Sequence, residues 1–149
     1  MVKSPHAKGA AFERRIVKMF NSNWGVKLVR TPQSGGWGQA HTKGDLVDPE
    51  RKFPYFVECK NQQYWNLWGA LFDGEGPLMK WWSKAAKQAK QEDRMPLLII
   101  GQDYQSPLVV APLLRSIGSR PHAFLFAPEH GALCLMRFSD FLKYYKTTL

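Results

Sequence analysis

The chain is poor in three things, and each absence narrows what it can be. It has two cysteines in 149 residues, Cys59 and Cys134. Two are too few for a disulfide framework, and the scattered His6, His41, His122 and His130 give them no zinc-ligand spacing. Cys59 alternates with charged neighbours, which predicts a buried, inert core thiol. Second, no apolar run approaches the roughly 18 residues of a membrane-spanning helix. The basic residues 1–9 lead into no hydrophobic stretch of the secretory kind. The expectation is an intracellular protein with no membrane partner. Third, acid is scarce: 12 Asp plus Glu face 21 Lys plus Arg, a net charge of +9. On a small domain that excess points to a polyanion, most often nucleic acid.

What is present argues for one folded domain spanning 1–149. The composition is 44% hydrophobic and 13% aromatic, too apolar for a disordered chain. Residues 1–9 read as a basic arm in which Lys3, His6 and Lys8 either touch phosphates or simply solubilise the chain. Helical spacing of Phe12, Ile16, Val17 and Phe20 predicts a helix over 10–21. A strand is expected over 25–30, then a polar, glycine-rich loop over 31–43; Arg30 at the strand end and Gln33, Ser34 and Lys43 in the loop supply donors for phosphate. The aromatic stretch 61–72 reads as irregular or loosely helical, with a core or interface role ahead of base stacking. A helix over 79–92 has Met79, Trp82, Ala86 and Ala89 inward and Lys80, Lys84, Lys87 and Lys90 outward. The unbroken apolar run 95–101 reads as a central strand buried on both faces. Short strands over 107–112, 122–127 and 132–137 and a helix over 139–146 follow. The fold class is therefore α/β, a mixed central sheet flanked by helices.

The chemistry concentrates between residues 44 and 60. Two apolar runs flank the turn-forming segment 48–52, which predicts a hairpin. If Val47 faces Phe56, Asp45 falls opposite Glu58, and Lys60 shares the face of Glu58. Two carboxylates facing each other destabilise a strand pair. A divalent cation is the simplest remedy, and a surface salt-bridge cluster the plain alternative. Glu13 lies at the apolar border of the first helix, where a carboxylate is paired or functional. Oxygen ligands suit a hard cation such as Mg2+, which binds through one or two carboxylates plus substrate phosphate. Lys60 can orient a water or stabilise developing charge, and Glu13 can hold a metal-bound water or help a second ion.

Asp45, twelve residues, then Glu58-Cys59-Lys60 resembles the PD-(D/E)xK nuclease signature, with Gly44 where the first proline often stands. With Lys8-Gly9-Ala10-Ala11-Phe12-Glu13-Arg14-Arg15 and Val29-Arg30-Thr31-Pro32-Gln33-Ser34-Gly35, the chain resembles the archaeal-type Holliday junction resolvases over residues 8–60. The segment between Ser34 and Asp45 and the aromatic stretch 65–72 depart from the compact archaeal pattern, and the pattern admits a viral member of the group. The resemblance implies a restriction-endonuclease-like core. It implies Asp45 and Glu58 as metal ligands with the backbone carbonyl of Cys59, and Lys60 and Glu13 as catalytic. The ion it implies is Mg2+, with Mn2+ able to substitute. Arg14, Arg30 and Ser34 become active-site or DNA contacts, joined as candidates by Lys8, Arg15, Gln33, Lys43 and Gln62. It also implies a homodimer that nicks opposed strands of a four-way DNA junction, in the cytoplasm or nucleoid, or in the host cytoplasm for a viral member. Two readings compete: a restriction or repair nuclease acting on linear or branched duplex, and an inactive DNA-binding module.

Overall fold

In the computed structural model, which describes residues 4–31, 44–74, 76–103, 105–112, 122–127, 129 and 131–146, the run Met95–Gly101 is the middle strand of a seven-stranded sheet. In chain order the elements are α1 (Pro5–Trp24), β1 (Val29–Arg30), β2 (Leu46–Val47), β3 (Tyr55–Asn61), a π-helical turn (Gly69–Asp73), α2 (Pro77–Gln91), β4 (Met95–Gly101), β5 (Leu108–Pro112), β6 (Ala123–Ala127), β7 (Gly131–Arg137) and α3 (Phe138–Tyr144). The sheet order is β1-β2-β3-β4-β5-β7-β6. β3 and β4 run parallel, with α2 in the connection between them, and the other described pairs are antiparallel. A mixed sheet flanked by helices is the architecture the sequence predicts.

The period of two sorts β3 and β4 onto two faces. Val57, Cys59, Leu97 and Ile99 pack with Phe12, Ile16, Phe20 and Trp24 of α1 and with Phe138 and Phe141 of α3. Leu98 and Ile100 pack with Ala70 of the π turn and with Leu78 and Trp82 of α2, while Phe56 meets Ala85 and Ala89. Fully buried side chains as large as Phe20, Phe56 and Trp82 each contribute on the order of 2–3 kcal/mol. With helices on both sides, β4 stays dry along Leu97–Ile100. That is why its sequence is unbroken apolar rather than alternating.

Two expectations are corrected. Residues 5–9, read as part of an arm, form the first turns of α1. Ser4 caps it, its Oγ accepting from Ala7 N at 3.2 Å, and Pro5 sits where a missing N–H costs nothing. The strand expected over 25–30 shrinks to Val29–Arg30. α1 runs on to Trp24 and ends at Gly25, whose left-handed backbone (φ 69°) lets its N–H reach Asn21 O at 3.0 Å. The Asn21 side chain then brackets the backbone of Leu28, accepting from its N–H at 2.9 Å and donating to its carbonyl at 3.0 Å. A side chain replaces the ladder there. Elsewhere the hairpin, the four later strands and the two later helices fall within a few residues of their predicted spans.

Candidate active site

The hairpin turn is organised by one carboxylate. Asp48 accepts from the N–H groups of Glu50, Lys52 and Phe53 at 3.0, 2.8 and 3.0 Å. Three charge-assisted bonds hold residues 48–53 in a fixed turn and so set the register of the strands beyond. Leu46 pairs with Val57 in antiparallel register, so Val47 lies opposite Phe56 and Asp45 opposite Glu58, as the apolar pattern predicts. Asp45 N–H donates to Val57 O at 2.9 Å, extending the ladder one residue past β2. Gly44 lies so close that a Cβ there would sit 3.0 Å from Val57 O and 3.4 Å from the Phe56 ring. That crowding explains a glycine in this position.

Glu58 is the buried charged residue among the described side chains, and its Oε1 accepts from Lys60 Nζ at 2.7 Å. Asp45 Oδ2 accepts from Cys59 N–H at 2.7 Å. Burial raises the Asp45 carboxyl from its ordinary 3.8 to about 6, and the charge of Glu58 adds to the push. The Cys59 N–H bond works against the rise, Glu13 adds a smaller repulsion, and Lys60 relieves a little. For Lys60, burial opposes the ammonium, but the bond to Glu58 and its charge outweigh it and hold the pKa above the ordinary 10.5. Cys59 is buried, and desolvation pushes its thiol well up, so it is protonated and inert as predicted.

Glu13 stands apart from this pair. Its Oε2 accepts from Arg30 Nε at 2.6 Å, joining the part-buried α1 carboxylate to β1. Among the described residues no three Asp, Glu, His or Cys side chains converge as a metal-binding group. Asp45 and Glu58 are brought together, and Glu13 reaches Asp45 through its field. The side-chain donors at the hairpin are two carboxylates, all oxygen. Two acids facing each other, with one destabilised by burial and by the other, fit a hard divalent cation.

The remaining candidates are scattered. Arg14, Arg15 and Gln62 are exposed, and Lys8 lies 3.5 Å from Asp103. Gln33, Ser34 and Lys43 lie outside the described residues. Two features escaped the sequence reading. Thr31 donates its hydroxyl to Gly44 O and its N–H to Asp45 O at 2.9 Å, fixing the backbone at Gly44 and Asp45. A cleft of about 300 Å³ opens at the ends of β3 and β4, lined by Lys8, Phe12, Arg15, Asn61, Gly101 and Asp103 among others. A Cβ on Gly101 would lie 2.5 Å from the Phe12 ring and 2.8 Å from Asn61 Oδ1. A lone glycine ending an apolar run was the signal for that close approach.

A mixed sheet that sets Asp45 opposite Glu58, with Lys60 two residues on, defines a nuclease of the PD-(D/E)xK type. The family described as "Phage putative PDDEXK endonuclease" matches residues 4–123, and the chain belongs to it. It is 29% identical over 134 residues to Protein D14 of Escherichia phage T5, covering 84% of each chain. It is also similar to the Holliday junction resolvase Hjc of Archaeoglobus fulgidus at 10% identity and a TM-score of 0.45, over 88% of this chain and 89% of that one. No helix among the described residues is long and apolar enough to cross a membrane.

Proposed function

We propose that this nuclease is a divalent-metal-dependent endodeoxyribonuclease selective for branched DNA. In this reading a homodimer nicks opposed strands of a four-way junction in the cytoplasm of the infected cell. The observation that carries the proposal is the Asp45–Glu58 pair with Lys60 on the same face, on a chain of net charge +9.

Asp45, Glu58 and the Cys59 carbonyl would hold Mg2+, or Mn2+ in its place. When bound, the ion lowers the pKa of a coordinated water and offsets charge on the phosphodiester. Lys60, whose Nζ bonds Glu58 Oε1 at 2.7 Å, would orient the attacking water or stabilise the charge that builds on the phosphate. Thr31 holds the Asp45 backbone in place. Arg30, held by Glu13 at 2.6 Å, would meet a phosphate oxygen with its remaining guanidinium donors.

The test compares wild type with Glu58→Gln on a labelled four-way junction, a fork and a linear duplex in Mg2+. Wild type is expected to cut the junction in preference, and the variant to lose at least about a hundredfold in rate. Cleavage that survives Glu58→Gln refutes the site. Cleavage of linear duplex with junctions ignored replaces junction selectivity with a restriction or repair activity. No cleavage by either protein favours the DNA-binding module.

A further inference from the structure

The stretch that follows the catalytic strand has an arrangement its sequence does not disclose. Tyr64, Trp68 and Phe72 are 79%, 69% and 73% exposed, which places their rings outside the core. The Trp68 and Phe72 rings stack with centroids 5.5 Å apart and an interplanar angle of 11°.

The segment is anchored from its other side. Asn66 Oδ1 accepts from Gly69 N–H at 3.0 Å, and a Cβ on Gly69 would fall 2.6 Å from Asn66 Nδ2. Ala70 is buried, and Trp65, Leu67 and Leu71 pack with it against Leu98, Ile100 and Trp82. One side of the π turn is thus fixed to the sheet while Trp68 and Phe72, four residues apart, stand on the other. The sheet face is the one that carries the active site. Lys60 is the register partner of Ile100, and Ile100 lines a cleft of about 180 Å³ together with Trp65 and Leu67. The exposed lysines Lys80, Lys84, Lys87 and Lys90 belong to α2, which packs against the π turn.

We propose that Trp68 and Phe72 form a stacking surface for unpaired nucleobases of the DNA substrate. The proposal rests on the nuclease reading above and names the part of the substrate that this face takes. Every nucleobase has a π face, so an aromatic surface binds without reading sequence, and the exposed lysines of α2, the helix packed against the π turn, supply the phosphate attraction. A second copy of the chain is the competing occupant. A nucleic-acid strand gains from the chain's charge of +9 and from the exposed lysines of α2 wherever it lies on this side of the molecule, a gain that a second copy of the chain does not have.

The experiment measures binding in EDTA, by fluorescence anisotropy, of labelled oligodeoxythymidine and an abasic oligomer of equal length. Trp68→Ala/Phe72→Ala is expected to weaken oligodeoxythymidine binding about 10- to 100-fold and to leave abasic binding unchanged. Trp68→Leu/Phe72→Leu keeps the patch apolar but removes the π faces, and is expected to lose as much. Equal binding by wild type and both variants overturns the proposal, as does an equal loss on both oligomers. A variant that alters only the sedimentation of the free protein overturns it in favour of self-association. Cleavage by wild type in Mg2+ is scored separately. A wild type that binds bases through this patch but cuts no DNA refutes the nuclease reading and leaves the stacking surface standing.

Discussion

Asp45→Asn should stabilise the metal-free protein while removing its activity. Burial and Glu58 raise the Asp45 carboxyl from 3.8 to about 6. That interval corresponds to about 3 kcal/mol by which the folded chain disfavours the charged form relative to the unfolded one. The folded protein therefore holds a proton more tightly than the unfolded chain, and stability falls as pH rises from about 4 to about 6. Below the lower value this source costs nothing, and above the upper value the cost is complete. An asparagine can still accept from Cys59 N–H through its amide oxygen, but a neutral acceptor gives up roughly 1 kcal/mol of that charge-assisted bond. The net gain at pH 8 is about 2 kcal/mol, or roughly 4–8 °C in Tm for a chain of this size. Circular-dichroism melts of both proteins at pH 4 and pH 8, in EDTA and in Mg2+, measure it. In EDTA the variant should melt higher at pH 8 and alike or lower at pH 4. Mg2+ should raise the Tm of wild type and leave the variant unmoved. A variant no more stable than wild type at pH 8, or one whose advantage persists unchanged at pH 4, refutes the electrostatic reasoning.

Two further outcomes follow from contacts at and beside the site. Lys60→Met removes the partner of the buried Glu58 and should cost about 1–3 kcal/mol in urea unfolding without metal. Glu58→Gln/Lys60→Met should recover at least half of that loss, and a double variant no more stable than the single would show the pair to be uncoupled. Gly101→Ala forces a methyl to within 2.5 Å of the Phe12 ring and 2.8 Å of Asn61 Oδ1, so α1 or β3 must shift at a cost of about 1–3 kcal/mol. An unchanged Tm for Gly101→Ala would contradict the packing at the end of β4.

The parts of the molecule legible in sequence were those set by short-range periodicity. The register that brings Asp45 to Glu58 follows from an apolar face on each strand and a turn built on Asp48, and a slip by one residue would have put Lys60 on the face packed by α1. β4 was legible because no polar residue interrupts it before Gln102. The start of α1 was not, because Ser4-Pro5 is a cap only when a helix follows, and the polar residues after it carry no apolar stripe. The partner of Glu13 could not be read either. Arg14 and Arg15 adjoin it, yet the bond goes to Arg30, seventeen residues away. The aromatic segment was ambiguous for a related reason. A π turn has neither the 3.6 nor the 2 period, so sequence cannot say which of Trp65, Trp68 and Phe72 is buried.

The same packing that makes the site readable also keeps it unfavourable. An exposed Asp45 would rotate into water and leave Glu58, and its carboxyl would titrate near 3.8. Here its backbone is tied twice, by its own N–H to Val57 O and by its carbonyl to Thr31 N–H, both at 2.9 Å. Its carboxylate is tied a third time, to Cys59 N–H at 2.7 Å. Glu58 in turn sits on β3, which is paired along all seven residues to the dry strand β4. With both backbones fixed, Asp45 can turn away only by giving up the Cys59 N–H bond, and Glu58 only by giving up Lys60. The repulsion is therefore held in place until a cation or a proton arrives, and Lys60 neutralises only one of the two charges meanwhile. That is why the chain's stability and its proposed chemistry should respond in opposite directions to the loss of Asp45.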